Sequence, residues 1–528
     1  MAASWLERWL ARILRYASQL FLSVFIFFTS ATKRCSQLRI PPAKHPLLLL
    51  PAVELARRIR RREVPCVEVV QTYISRIEEV NPEVNAVVKD RFALALQEAE
   101  QVDRLLAEES EDEASLEEKY PLLGVPVTVK EAFALQGMPN SSGLVNRRSL
   151  VAQSDAAVVS LVKRAGAIPL GVTNCSEVCM WIESSNTVYG RSNNPYSLDR
   201  IVGGSSGGEG CILASAGSVI GIGSDIGGSI RMPAFFNGIF GHKSTTGIVS
   251  NDGQFPNAEG RQIDFLCTGP MCRYAEDIIP LLRVMAGPRA ERLNLLEVVN
   301  LKQLKFYTMK SDGGSAFVSA VDRELIAVQQ QVVKRLEDDL GVIVQEVNIP
   351  QFRYSLPIWS AMMAARSTDG KAATTFTELL GDHGKPVWPL WELLKWMLGF
   401  SCHTLPAIGL SLAEKFQKLE PNPGILQKTQ ELKKAMEDLL GTDGVFLYPS
   451  HPKIAPKHHH PIFTPFNFAY TGIFNILGLP VTQCPLGLNK EGLPLGIQVV
   501  SNLYNDRFTI ATALYLEQAF GGWRNPGT

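Results

Sequence analysis

Residues 203–247 read GGSSGGEGCILASAGSVIGIGSDIGGSIRMPAFFNGIFGHKSTTG, two glycine-rich turns that each carry serine, set between apolar runs. Consecutive glycines let successive backbone N–H groups point the same way and form a concave anion-binding nest. Ile226, Gly227, Gly228 and Ser229 can supply such donors around the Ser229 hydroxyl, the arrangement of an oxyanion hole beside its own nucleophile. Nucleotide cradling lacks support, because no G-x-x-x-x-G-K-[ST] occurs here and Ile226 stands where a G-x-G-x-x-G turn starting at Gly221 needs its third glycine. GGSSG at 203–207 fits the G-x-S-x-G elbow of an α/β-hydrolase, a short pattern that Gly/Ser-rich loops also produce by chance. The plain alternatives are a Ser229 that caps a helix over 230–236 and a Ser205–Ser206 pair in a flexible turn.

The flanking sequence alternates helix and strand patterns. Helices are predicted over 53–62, over 67–80 (Val70, Tyr73, Ile74 and Ile77 at helical spacing, stopping at Asn81-Pro82) and over 92–106. Apolar, β-branched runs predict strands over 122–129, ending at Lys130-Glu131, and over 167–172, with a helix over 156–166 between them. Farther on come a strand over 305–308, a helix over 321–340 and a strand over 342–347. This is the α/β pattern: a large mixed, mostly parallel sheet with helices on both faces, in one domain over 51–528. Residues 108–118 hold seven acids and read as a solvated loop.

Lys+Arg and Asp+Glu are both 52, so the zero net charge implies no nucleic-acid partner. Nine cysteines are too few for a disulfide scaffold and their odd count leaves one unpaired, which suits a reduced, cytosol-facing chain. Charge is uneven: residues 1–63 carry 12 Lys/Arg against 3 acids, 12 − 3 = +9. Within this region residues 1–15 read as a basic arm, and 16–32 (YASQLFLSVFIFFTSAT) contain no charge. As a helix those residues span about 25 Å, slightly under a hydrocarbon core, with Arg15 and Lys33 able to snorkel to the interfaces. They are expected to form a single-pass anchor followed by a linker over 33–50. A cleaved signal peptide ending near Thr29-Ser30-Ala31 and an ordinary core helix are the competing readings.

A serine nucleophile needs a base. None of the eight histidines stands in a distinctive context, and the run His458–His460 reads as a Pro-flanked loop rather than a metal site. The other candidate is a lysine that burial holds uncharged, and Lys130 closes the buried strand pattern GVPVTVK. Its bland reading is a lysine snorkelling from a strand end into solvent.

Taken together, GVPVTVKE at 124–131, GGSSGGEG at 203–210 and GSDIGGSIRMPA at 223–234 resemble the amidase signature family of serine hydrolases. The likeness extends from ELARRIRRREVPCVEVVQTYISRIEEVNPEVNAVV at 54–88, similar to the family's N-terminal helices, to the strand pair GLPVTQCPLGLNKEGLPLGIQVV at 478–500. Within the family the hydrophobic N-terminus and the wording of the motifs are most similar to the fatty-acid amide hydrolases, their type-2 branch above all. The resemblance implies a three-layer α/β/α fold, Lys130 as base, Ser205 in a cis peptide as proton bridge, and Ser229 as nucleophile. It implies an oxyanion on the amides of Ile226, Gly227 and Gly228, support from Ser206, Asp225 and Arg231, and neither metal nor organic cofactor.

The activity so implied is hydrolysis of primary fatty-acid amides such as oleamide, and N-acylethanolamines such as anandamide, to free acid plus ammonia or ethanolamine. The lipid-amide substrate, a membrane or lipid-droplet surface and a homodimer are the expected partners, with the catalytic domain on the cytosolic side. A general amidase or esterase, and a silent lipid-amide-binding protein, are the alternatives. Pro389 to Leu412 (PLWELLKWMLGFSCHTLPAIGLSL) is apolar nearly all round and reads equally as a core helix or as a membrane-facing cap. Cys175 and Cys179, four apart, read as packing residues rather than a redox pair.

Overall fold

The computed structural model describes residues 39–108, 112–366, 373–382, 385–416 and 422–528. The anchor expected over 16–32 lies outside them, as do the basic arm and part of the linker. Among the described residues no helix is long and apolar enough to cross a membrane.

Eleven strands form one sheet, in the order Val87–Asp90, Ile168–Thr173, Pro126–Lys130, Ile220–Asp225, Cys267–Cys272, Phe240–Lys243, Val481–Leu488, Pro494–Ser501, Gly444–Tyr448, Lys305–Thr308, Val344–Glu346. The sheet is large and mixed, as expected, but not mostly parallel. Four pairings are parallel (126–130 with 168–173 and with 220–225; 305–308 with 444–448 and with 344–346), and the other six are antiparallel. The helix-linked strands give the parallel blocks. Between them the centre is antiparallel. For 481–488 and 494–501 the reason is the tight turn that joins them, in which Gly492 N–H donates to Asn489 O at 3.0 Å, too short for a crossover.

Period-2 alternation sends neighbouring side chains of a strand into two separate cores. In Gly444–Tyr448, Val445 and Leu447 join one apolar cluster while Phe446 and Tyr448 join the other; Val499 and Val500 divide the same way. Both faces are therefore covered, which is the three-layer architecture.

Two local readings change. The helix expected to stop at Asn81-Pro82 runs Cys66–Val84, and Asn85 ends it in a left-handed conformation. Proline removes only its own N–H, so the chain continues for two residues while Asn81 Oδ1 accepts from Ala86 and Val87 N–H at 2.8 Å. The acidic stretch is not all loop, because Glu113–Lys119 is a helix capped by Asp112, whose carboxylate accepts Ser115 N–H at 2.9 Å. Its acids meet arginines at the end of helix Ala52–Arg60, Glu113 pairing with Arg61 at 2.6 Å.

Candidate active site

Strand Pro126–Lys130 is buried throughout, and its alternation decides what its last residue meets. Val127 and Val129 enter one apolar core, whereas Thr128 and Lys130 point the other way, onto helix Gly207–Ala214 and the turn before it. Lys130 Nζ donates to Ser205 Oγ at 2.7 Å and to Ser224 Oγ at 3.0 Å, with no exposed surface. The snorkelling alternative therefore fails.

The Gly204–Ser205 peptide is cis. Gly204 is pressed against the loop before it: a Cβ there would lie 2.2 Å from Trp181 O and 2.5 Å from Ser176 Oγ. Ser206 joins the two glycine turns, its N–H donating to Ser229 O at 3.1 Å and its hydroxyl to Ser224 O at 3.3 Å. Lys130 and Ser205 thus lie beneath the second turn, and Ser229 keeps slight exposure, 9% against 1% for Ser205. The helix that follows runs Arg231–Phe236 with Ile230 at its cap position, so Ser229 is not the capping serine. No strand leads into 203–207, so the strand–turn–helix context of the hydrolase elbow is missing.

A buried ion pair shapes the 226–229 turn. Asp225 and Arg231 pair at 2.9 Å with no exposed surface. The carboxylate also accepts the N–H of Gly228 (2.8 Å) and of Ile230 (3.0 Å). Burial alone would raise the Asp225 pKa, but the Arg231 charge and these hydrogen bonds win and hold it below the usual carboxylate range. Arg231 is itself fixed by Thr471 O, Gln498 Oε1 (both 2.9 Å) and Asn475 Oδ1 (2.7 Å). Trp359 Nε1 binds Ile226 O at 3.0 Å and Thr471 Oγ1 binds Gly227 O at 2.6 Å, so the carbonyls of the turn are tied back. The Gly228 amide is spent on Asp225 and differs in this from the expected oxyanion donor. Among the described residues the amides of Ile226, Gly227 and Ser229 have no such partner. Gly228, at φ +124°, admits no side chain, since a Cβ would sit 2.1 Å from Thr471 Oγ1.

Behind Lys130, Glu209 is fully buried and accepts from Thr128 Oγ1 (2.7 Å) and Thr173 Oγ1 (2.8 Å). Burial pushes its carboxyl up to about 8, against the opposing pull of those hydroxyls and Lys130. Because the folded value lies above the unfolded one of about 4.3, the stability Glu209 contributes is full at low pH and lost as pH rises through 8. Glu209→Gln is expected to flatten this: between pH 7 and 9 its thermal midpoint falls less than that of wild type, read by calorimetry across that range.

Sequence reasoning missed Ser224, Glu209, Asn475 and Thr471. Ser224 and Glu209 lie inside the quoted motifs, at a strand end and one turn into a helix, where register carries the signal; Asn475 and Thr471 sit some 240 residues from their partners, where no spacing could mark them. Among the described residues no histidine bonds Lys130, Ser205 or Ser229, and His383 lies outside them. His458 is a clamp, bonding Glu183 at 2.7 Å and Leu198 O at 3.1 Å, and the buried His242–Asp506 pair (3.1 Å) faces Thr482 rather than a catalytic serine.

The amidase family profile matches residues 68–510. The chain is 64% identical to fatty-acid amide hydrolase 2-A of Danio rerio, covering 100% of this chain and 99% of that protein. It is 63% identical to fatty-acid amide hydrolase 2 of Homo sapiens, covering 92% of each. A solved fatty acid amide hydrolase superposes with a TM-score of 0.71 at 21% identity, over 91% of this chain and 87% of that one, a likeness of fold. A lysine–serine pair buried under a glycine turn, in a chain whose profile and relatives agree over nearly its whole length, makes this protein a member of the amidase family.

Proposed function

We propose that the protein hydrolyses long-chain fatty-acid amides, primary amides and N-acylethanolamines, to the free acid plus ammonia or ethanolamine. The observation that carries the chemistry is the 2.7 Å Lys130–Ser205 hydrogen bond beneath Ser229. The near-full-length identity to fatty-acid amide hydrolases supports the substrate class. In its uncharged form Lys130 takes the Ser205 proton as Ser205 takes that of Ser229, and Ser229 Oγ attacks the amide carbonyl. The developing oxyanion lies against the amides of Ile226, Gly227 and Ser229. The relay then runs backwards to protonate the leaving amine, and water enters through the same groups to release the acid.

An exposed apolar surface beside the site supports the lipid reading. The two readings of 389–412 divide: Pro389–Met397 buries only Pro389 and Glu392, whereas Leu405–Phe416 packs Ala407, Ile408 and Ser411 inside. Trp388, Leu390, Trp391, Leu394, Trp396, Met397, Leu398 and Phe400 are all exposed, Phe400 by 76%. An apolar patch of this extent marks a membrane or partner surface. It is pinned beside the site: the Glu177 carboxylate accepts His403 Nδ1 (2.7 Å) and Thr404 N–H (2.8 Å), and Glu177 belongs to the loop that abuts Gly204–Ser205. The patch, together with an anchor over 16–32, would hold the domain on a membrane or lipid-droplet surface.

Two measurements test this. Turnover of a long-chain primary amide should exceed that of its short-chain homologue, and equal turnover would mean a general amidase. The double variant Trp391→Glu/Leu394→Glu should lower affinity for phosphatidylcholine vesicles by about tenfold or more, given roughly 1.5–3 kcal/mol per buried apolar side chain. Its turnover of a soluble short amide should stay unchanged, and deletion of residues 1–34 should release tight membrane association.

A further inference from the structure

Each amide of the 226–229 turn that can meet an oxyanion is aimed by the carbonyl at the other end of its own peptide. A trans peptide sets N–H and C=O on opposite sides, so a bond that fixes the carbonyl fixes the direction of the N–H. The peptides of this turn are trans. For Ile226 the paired carbonyl is Asp225 O, which accepts Asn475 Nδ2 at 2.9 Å. For Ser229 it is Gly228 O, which accepts Met232 N–H at 2.7 Å as helix Arg231–Phe236 begins. For Gly227 it is Ile226 O, and there the donor is the indole Nε1 of Trp359 at 3.0 Å, from a residue 133 positions along the chain.

The seat of that indole is built from several elements. Ile358 and Met362 take the core positions of helix Ser355–Ala364, which leaves Trp359 half-buried beside them. Its ring meets Phe468 edge-on with centroids 4.7 Å apart, and its six-membered ring lies 3.6 Å from where a Gly227 Cβ would stand. Gly472 makes the room: a Cβ there would lie 2.9 Å from Trp359 Cδ1 and 3.2 Å from Nε1. Packing alone would be met by any large ring, whereas the bond to Ile226 O needs the indole N–H. That bond also polarises the Ile226–Gly227 peptide and makes the Gly227 N–H a stronger donor.

We propose that Trp359 is a positioning residue for acyl transfer: its indole N–H holds the Ile226–Gly227 peptide so that the Gly227 N–H meets the oxyanion formed when Ser229 attacks. It touches no reacting atom. This role rests on the proposed attack by Ser229 and not on which amide is cleaved. Full negative charge reaches the substrate oxygen only as the tetrahedral state forms, so an interaction that aims one donor at that oxygen acts on kcat and leaves KM unchanged.

The test compares the full-length protein in detergent with Trp359→Phe, which keeps a ring against Phe468 and removes the N–H, and with Gly472→Ala, which pushes the intact indole off its seat. In Trp359→Phe, kcat for a long-chain amide should fall by about tenfold at unchanged KM, less than the about 10²–10³-fold cost of losing an oxyanion donor outright. Affinity for a trifluoromethyl ketone of the same chain length, on which Ser229 forms an oxyanion, should fall by the same factor. Affinity for the matching alkyl alcohol, which forms none, should stay as in wild type. Gly472→Ala should show the same pattern, and the double variant should be no slower than the slower single one, because both act through one contact. Unchanged kcat and ketone affinity in folded Trp359→Phe, or a loss that ketone and alcohol share, would overturn the proposal. Labelling of Ser229 by a fluorophosphonate, whose phosphoryl oxygen needs the same donors, separates this role from the substrate assignment. A label about tenfold slower on Trp359→Phe, in a protein that cleaves no fatty-acid amide, would fail the proposed function and leave this one standing; an equally fast label would overturn this one whatever the substrate.

Discussion

Ser229→Ala reduces hydrolysis of a long-chain amide by on the order of 10³-fold or more, with an unchanged melting point. The size follows from the role: removing the nucleophile of a unit that acts together costs nearly all its rate enhancement. The unchanged fold follows from the structure, because the contact that Ser229 gives its surroundings is its carbonyl, accepting from Ser206 N–H at 3.1 Å, which alanine keeps. Lys130→Met is expected to lose activity to a similar extent while keeping most of the buried volume. It leaves Ser205 and Ser224 without a shared donor, at a cost of about 1–3 kcal/mol in stability. Activity near wild type in either purified variant would remove that residue from the mechanism. The Ser-His-Asp alternative predicts instead that one histidine substitution abolishes activity in a folded protein.

Arg231→Met carries the largest expected effect on folding. The substitution strands the Asp225 carboxylate, buried with no exposed surface, and unties Thr471, Asn475 and Gln498 from one another. Removing one partner of a buried pair costs about 3–5 kcal/mol, since the remaining charge stays uncompensated. Arg231→Lys should rescue only part of this, because one ammonium cannot meet the five hydrogen bonds that the guanidinium distributes over Asp225, Thr471, Gln498 and Asn475. The pH dependence gives a second reading. In wild type the lowered Asp225 pKa contributes stability above the unfolded value near 3.9, lost as pH falls through the folded one. In Arg231→Met the carboxyl rises instead, so its protonated form is favoured and the variant recovers as pH falls. The gap in thermal midpoint should therefore narrow from pH 8 toward pH 5; a constant gap would mean that Arg231 acts through packing alone.

The sequence showed more of the site than of the sheet. Lys130 and Ser229 stand out as candidates in glycine-marked motifs, whereas the bridging role of Ser205 is implied only by the three motifs' joint resemblance to the amidase signature family. What surrounds them carries no such mark. Gly228 reads as an anion donor from its neighbours alone, yet its N–H is taken by a carboxylate three residues back whose orientation depends on Arg231 and on Asn475, whose Nδ2 donates to that carboxylate. Strand direction failed for a related reason. Each run's apolar pattern fixes that it is a strand and which faces are covered, but a buried parallel and a buried antiparallel strand carry the same pattern. Even the strand pair at 478–500 was read without a direction, which its short turn at 489–492 settles as antiparallel. Segment 389–412 remained ambiguous because an all-apolar helix suits lipid and core equally; the exposure of Trp391 and Phe400 takes only the first helix, Pro389–Met397, out of the core.

The central claim, that Ser229 is a nucleophile driven by Lys130 through Ser205, is tested most directly by labelling. The membrane-extracted protein is treated with a fluorophosphonate and the adduct is located by intact mass and peptide mapping. The expected result is one adduct on Ser229, absent from the Lys130→Met protein. An adduct on Ser205 or Ser206, or one on Ser229 that forms equally well without Lys130, would contradict it.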